Sequence, residues 1–299
     1  MLIPKDSPVR IPVSVIVPVR NEARNLPRCL ESLSGFSEIY VVDSQSADAT
    51  VQIASSYGAK IVQFHYQGGW PKKRQWALDT LSFSNEWILL LDADEALTLK
   101  LADEIRQAIG DNEISGYYIA LQMYFLGRML KHGGARFEKL SLFRLGKAHF
   151  ECRLREQDIS MSDTEVHEHV VVDGRTARLR NPLAHHNVES LSRYIQKHDE
   201  YSNWEAKVWV DGEACSEIPA SFAGTQAQRR RWLRKKLFNL PGSPILFFLY
   251  RYILRLGFLD GVPGLIYCGF QGVQFFQIKA KIYELRAKRN IGTRKLDTK

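Results

Sequence analysis

Between residues 11 and 109, short apolar runs alternate with stretches of helical periodicity, and this alternation limits the possible folds more than any other feature. Ile11–Pro18, Glu38–Val42, Lys60–Phe64 and Trp87–Leu91 are rich in branched aliphatics and brief, as strands covered on both faces are. Asn25–Leu33 places Leu26, Leu30 and Leu33 on one helical face, with Asn21 or Asn25 as its cap. Asp48 begins a second helix that runs to Tyr57 and stops at Gly58, and Lys72–Leu81 reads as a third. The order β-α-β-α-β-α-β implies crossover connections and hence parallel pairing. The expected class is α/β, a doubly wound, mostly parallel sheet.

The strand ends carry the chemistry. The first run ends in Pro18-Val19-Arg20-Asn21-Glu22, the second in Asp43-Ser44-Gln45-Ser46, and the fourth in Asp92-Ala93-Asp94-Glu95. Aspartate is a poor strand residue and costly to bury unpaired. A carboxylate pair at the C-terminal end of a central strand therefore wants a cation, and that end of an open α/β sheet is where ligands bind. Taken alone, Asp-x-Asp fits a solvated turn as well as a metal site. Three acid-bearing strand ends at one sheet edge favour a metal-competent crevice.

After a helix over Leu99–Ile109 the regular alternation stops. Gly116–Phe125 and Leu140–Arg144 read as strands around the Gly-rich loop Lys131-His132-Gly133-Gly134. Glu165–Val172 reads as a further strand-like piece, and Leu191–Val210 as a long aromatic helix. The cysteines Cys29, Cys152, Cys215 and Cys268 are widely spaced, which argues against a zinc site or a disulfide framework and suits a reducing compartment. Met1–Arg10 lacks an apolar stretch, so no signal peptide is expected.

The net charge of +8 is unevenly spread. From Arg229 onward there are 16 basic and 3 acidic residues, so this tail carries +13 and the preceding part −5. Gln228–Lys236 is followed by apolar, aromatic Ile245–Leu259 and by Gly261–Ile278, which holds 18 residues without a charge. Gln271, Gln274, Gln277 and Lys281 form one helical stripe, and Ile266, Phe270, Val273 and Phe276 another. This pattern suits an amphipathic helix lying on an anionic membrane surface better than a span. A buried or oligomer-interface helix pair is the alternative. Nucleic acid is disfavoured because the basic residues border long apolar runs. The expected division is 1–227 for the sheet domain and 228–299 for basic, membrane-associated helices.

The motifs P-V-R-N-E, V-V-D-S-Q-S-A-D-A-T and L-D-A-D-E resemble those of family 2 glycosyltransferases, which have the GT-A fold. The resemblance extends over roughly residues 11–190, and Gly257–Gly264 resembles the branch containing bacterial lipopolysaccharide-core β-glucosyltransferases. It implies an inverting, metal-dependent hexosyl transfer from a nucleotide-diphosphate sugar, a UDP-sugar, to a lipid-linked or lipopolysaccharide-type acceptor. The place of action would be the cytoplasmic face of the inner membrane, with the enzyme peripheral or monotopic. Pro18, Asn21, Glu22, Asp43, Arg74 and Asp92 match donor-binding positions, with Lys72 and Lys73 as alternatives to Arg74. Asp43 would accept the uracil N–H, and Asp94 and His185 would hold Mn²⁺ or Mg²⁺. His186 stands where the branch commonly has an aromatic residue. Glu168, in Val166-His167-Glu168-His169, matches the general base, with Asp163 and Glu165 as fallbacks. Arg136 and Arg144 would meet acceptor phosphates or pair with acids. Glu95 is left unassigned, with a cap on the following helix as its one ready role. Two rival readings are a nucleotidyltransferase, disfavoured by the lack of glycine before Gly35, and a catalytically silent membrane-associated binding module.

Overall fold

In the computed structural model, which describes residues 10–165, 168–186, 190–212 and 217–296, the four apolar runs form β1 (Ile11–Val19), β2 (Phe36–Asp43), β3 (Lys60–Gln63) and β4 (Trp87–Leu90). The expectations placed on Met1–Val9, Val166, His167 and Cys215 lie outside the described residues. These four strands pair in parallel in the order β3-β2-β1-β4. The crossovers are α1 (Leu26–Ser32), α2 (Thr50–Ser56) and α3 (Lys73–Thr80). Val13, Val15 and Val17 face one side of the sheet, where they meet Leu26 and Leu30 together with Leu101 and Ile105 of α4 (Leu99–Ala108). Ile16, Ile88 and Leu90 face the other, against Ala77 of α3 and Phe143. A strand with helices on both sides has no solvent face, which is why its run is continuously apolar.

The sheet then changes character. β5 (Glu95–Ala96) is a two-residue bridge, and β6 (Ile114–Phe125), β7 (Arg128–Met129) and β8 (Phe137–Arg144) form a meander. β8 inserts between β4 and β6, antiparallel to both. β9 (Ala148–Phe150) pairs with β10 (Val170–Val172) as a separate ribbon, β11 (Arg175–Arg178) joins the β6 edge, and β12 (Leu183–His186) lies parallel to β6 and antiparallel to β5. Of the described residues in the strand expected over Glu165–Val172, Val170–Val172 are in a strand. Glu165 and Glu168 leave the ladder because their carboxylates turn toward the N-terminus of α3.

The rest of the chain is helical: α5 (Leu191–Asp211), α6 (Gln226–Phe238), α7 (Ser243–Leu249), a π turn at Tyr250–Leu254, a 3-10 turn at Gly257–Asp260, and α8 (Gly261–Leu296). The tail is joined to the Gly-rich loop. Buried Asp260 accepts the backbone N–H of His132 at 2.8 Å and of Lys131 at 3.1 Å. Gly133, at φ 61°, lies so near that a Cβ there would sit 3.0 Å from Cys268 Sγ.

The glutamine stripe of α8 points opposite to expectation. Gln274 is buried, Gln271 donates to the Tyr194 hydroxyl at 3.3 Å, and Lys281 reaches Asp199 Oδ1 at 2.6 Å. The polar face thus docks on α5, which supplies polar partners, and apolar Val273 and Phe276 face outward, 48% and 64% exposed. Buried Phe275, Ile278 and Ile282 share the inward side, so the two faces do not separate into polar and apolar. Among the described residues no helix is long and apolar enough to cross a membrane.

Candidate active site

Parallel register brings the acid-bearing strand ends together. Val19 lies opposite Asp43 and Ile16 opposite Leu90, so the segments after β1, β2 and β4 leave the same edge of the sheet. Pro18 sits opposite Val42, one residue before that edge.

The loops after β1 and β2 are tied to each other. Asn21 adopts φ 55°, a left-handed conformation that asparagine tolerates. Its backbone N–H donates to Ser46 Oγ at 2.8 Å, and its side-chain oxygen accepts the Ala47 N–H at 2.8 Å. Asn21 therefore bridges loops rather than capping α1. Glu22 is buried between Lys197 Nζ at 2.9 Å and Asn25 Nδ2 at 2.8 Å. Asp43 is also buried and accepts from the Ser46 N–H, the Ser46 hydroxyl and Gln63 Nε2. Three donors on a carboxylate with about four acceptor sites leave room for one more.

Asp92 lies between two cations. One oxygen meets the Arg74 guanidinium and the other meets Lys139 Nζ at 3.0 Å. Burial pushes its carboxyl up, but Arg74 and then Lys139 outweigh that and hold it well below the usual range. Lys139 reaches Asp92 because β8 is inserted beside β4, a pairing that local sequence does not announce. Lys139 also contacts Glu95 at 2.7 Å. Glu95 belongs to the site rather than capping α4: it is buried, accepts the Asp92 N–H at 3.0 Å, and faces His185 in the β5–β12 bridge. Burial first, then Asp92 and Asp94, push its carboxyl upward against Lys139. The cap of α4 is Thr98, whose side chain accepts from the Leu101 N–H.

Asp94 and His185 face each other, Oδ2 to Nε2 at 3.4 Å. Burial alone would raise the Asp94 carboxyl and lower the His185 imidazole. Their mutual attraction wins in both, lowering Asp94 and raising His185. Glu95 lies 3.9 Å from the other ring nitrogen of His185, a charge contact beyond hydrogen-bond reach. His186 stacks on Tyr124 at 4.5 Å and 8°, as an aromatic residue there would.

Asp163, Glu165 and Glu168 all meet the start of α3, each in a different way. Glu165 accepts the N–H groups of Arg74 at 3.1 Å and Gln75 at 2.9 Å, capping the helix from a distance. Asp163 pairs with Lys73 at 3.0 Å, and Lys73 also donates to the Val19 carbonyl at 2.8 Å. Glu168 pairs with Lys72 at 3.3 Å, both side chains fully buried, and among the described residues its Oε1 accepts no hydrogen bond. Of the three lysine and arginine candidates after Trp70, Arg74 is the one that reaches Asp92. Arg136 is exposed, and its carbonyl accepts from Arg230. Arg144 pairs with Glu86 beside the start of β4, at the opposite end of that strand from Asp92. Lys139 and Lys197 are site residues that motif spacing could not find, since each arrives through long-range pairing, and Glu95, inside the quoted motif, gains its place through Lys139 and His185.

The family profile described as glycosyl transferase family 2 matches residues 14–165, half of the chain. The chain belongs to glycosyl transferase family 2. The matched span holds β1 through segment 163–165, and with it every acid of the sheet edge; the family's GT-A fold is the α/β architecture described above. The lipopolysaccharide core biosynthesis glycosyltransferase LpsC of Rhizobium meliloti is 27% identical over 94% of this chain and 97% of its own length. An uncharacterized glycosyltransferase of Rickettsia bellii is 27% identical over 96% of this chain and 91% of its own. A crystal structure of glucosyl-3-phosphoglycerate synthase from Mycobacterium tuberculosis with Mg²⁺ and UDP aligns at TM-score 0.32 and 20% identity, covering 37% of this chain and 43% of that one. This family 2 chain is thus a glycosyltransferase, and its acids, His185 and two cations meet at one strand edge.

Proposed function

We propose that this glycosyltransferase is an inverting, metal-dependent enzyme. It takes a sugar from a UDP-sugar and transfers it to a lipid-linked, lipopolysaccharide-type glycan. The observation that carries the reading is the cluster of Asp92, Asp94, Glu95, Arg74, Lys139 and His185 at the sheet edge where β1, β2 and β4 end. The name of the Rhizobium relative supports the class of acceptor.

Pro18, Asn21 and Glu22 would line the nucleoside pocket, with the fourth acceptor site of Asp43 taking the imide N–H of the base. Arg74 and Lys139 would face the diphosphate, and Asp92, held between them, would contact the sugar or ribose. The donor set of Asp94 and His185 fits a hard divalent cation. An oxygen and an imidazole nitrogen 3.4 Å apart approach the roughly 3 Å edge of an octahedron with ~2.1 Å bonds. Among the described residues no group of three such side chains is preassembled, so phosphate oxygens would complete the shell. A cation held there supplies charge neutralisation on the departing diphosphate. Glu168 would take the proton from the acceptor hydroxyl as its oxygen bonds to C1 and the C1–O bond to UDP breaks. Lys72 compensates the carboxylate charge before that transfer.

Residues 228–299 would hold the enzyme at the cytoplasmic membrane face. Ile245, Ile253, Leu254 and Phe276 are exposed apolar side chains on helices interspersed with lysine and arginine. Each basic residue near an anionic surface contributes about 1 kcal/mol.

Titration with UDP tests the donor and metal assignment. Binding should need Mn²⁺ or Mg²⁺, and Asp94→Ala should remove that dependence along with most of the affinity. Metal-independent binding that Asp94→Ala leaves untouched would overturn it.

A further inference from the structure

A cavity of about 600 Å³ lies behind the reaction centre, between α5, α6, α8 and the Gly-rich loop. Its lining includes Arg153, Arg230, Arg231, Arg234, Arg251 and Arg255, and among the described residues a single acid, Glu205. Three of these arginines have structural partners: Arg234 pairs with Glu205 at 2.6 Å, Arg231 with Glu151, and Arg153 lies over the Trp204 ring at 5.2 Å. Arg230, Arg251 and Arg255 differ. Among the described residues none of them has a carboxylate within 4.0 Å. Arg230 donates to the Arg136 carbonyl at 2.9 Å, Arg251 to the Tyr267 hydroxyl at 3.1 Å, and Arg255 to the Tyr250 hydroxyl at 3.3 Å. The Arg251 guanidinium also lies 5.1 Å from the centre of the Tyr267 ring, and among the described residues its buried Nε has no acceptor. Arg230 and Arg255 are themselves exposed, at the rim of the cavity; partial enclosure first, then the like charges of Arg251 and Arg255, lower the pKa of Arg230. Guanidiniums gathered around one void, with no described carboxylate beside them, favour an anion that enters it.

The cavity adjoins the site on two sides. Phe137 lines it and lies 6.5 Å from the His185 ring, and Met123, also lining it, is the register partner of His185. His169, in its wall, follows Glu168 in the chain. Its volume suits one or two sugar rings, and Trp209, Phe247 and Tyr250 supply apolar walls.

We propose that this cavity is the acceptor subsite for an acidic sugar, with Arg230, Arg251 and Arg255 binding a phosphate or carboxylate group carried on the glycan. This deepens the glycosyltransferase reading and rests on it. Guanidinium forks match both anions, and such contacts would hold the glycan beside the reaction centre, where Phe137 and Met123 adjoin His185.

The test is calorimetric titration of the full chain, saturated with UDP and Mg²⁺, with glucose 6-phosphate and with glucose. The phosphorylated sugar should bind and glucose should not, with affinity falling as salt rises. Arg230→Gln/Arg255→Gln should weaken glucose 6-phosphate binding at least tenfold and leave UDP affinity unchanged. Arg255→Gln alone, at an exposed position, should weaken it several-fold in a protein whose melting temperature is unchanged. Intact UDP binding without glucose 6-phosphate binding, or equal binding by the variants, refutes the subsite and leaves the donor reading standing. A parallel arm uses phosphatidylglycerol vesicles. If the arginine substitutions abolish vesicle binding and spare glucose 6-phosphate, the anion is a lipid headgroup and the proposal fails.

Discussion

Replacing Arg231 by methionine should be among the most damaging changes outside the reaction centre. Arg231 is on α6 in the basic tail, and Glu151 follows β9. Glu151 is 0% exposed and Arg231 9%. The guanidinium is bidentate on the carboxylate, with Nη1 at 3.0 Å from Oε2, and also donates to the Ile218 carbonyl. Without it, Glu151 keeps the His169 N–H at 3.0 Å as its described partner. Breaking one side of a buried pair costs about 3–5 kcal/mol, because the remaining charge is desolvated and uncompensated. Exchanging both members for uncharged residues of similar volume is often close to neutral. Arg231→Met should therefore lower the urea midpoint by about 1–2 M for a slope near 3 kcal/mol per M. Arg231→Met/Glu151→Gln should recover most of that. The readout is urea unfolding followed by tryptophan fluorescence and circular dichroism. A loss below about 1 kcal/mol in the single variant, or no recovery in the double, would refute the desolvation argument. His169 hangs on the same carboxylate and adjoins Glu168, so the single variant should also lose more transfer activity than UDP affinity.

Glu38 links the sheet at the end away from the site. Burial would raise its pKa, but Lys60, Ser14 and Ser84 bring it down to about 2. A depressed carboxyl stabilises the fold above its unfolded pKa and loses that contribution as pH falls from about 4.5 through 2. Glu38→Gln should cost about 2–3 kcal/mol at pH 7 and almost nothing near pH 2, and a pH-independent deficit would contradict this assignment. Glu168→Gln should lower transfer by about 10²–10⁴-fold, the usual range for a general base, with UDP affinity within twofold of wild type; an active variant would move the base elsewhere. Changing Ile253, Leu254 and Phe276 together to serine should reduce sedimentation with phosphatidylglycerol vesicles about tenfold at unchanged UDP affinity. Undiminished binding would show that these exposed side chains serve another purpose.

Reading the chain residue by residue was enough for the parallel half of the sheet and for what hangs on its edge. Short apolar runs and helical periodicity are local properties, and once β1, β2 and β4 pair in parallel, Asn21, Asp43 and Asp92 must leave the same side. The remainder depended on contacts between distant segments. Lys139 reaches Asp92 because β8 inserts beside β4, and His185 reaches Asp94 because β12 bridges β5. Glu165 and Glu168 read as strand residues until α3 offered unsatisfied N–H groups and a buried lysine. The glutamine face of α8 looked destined for water, but Tyr194 and Asp199 supplied partners that turned it inward. Composition and spacing decide which elements form and which ends bear charge. Register and docking, settled by burial and pairing between remote segments, decide which charges meet.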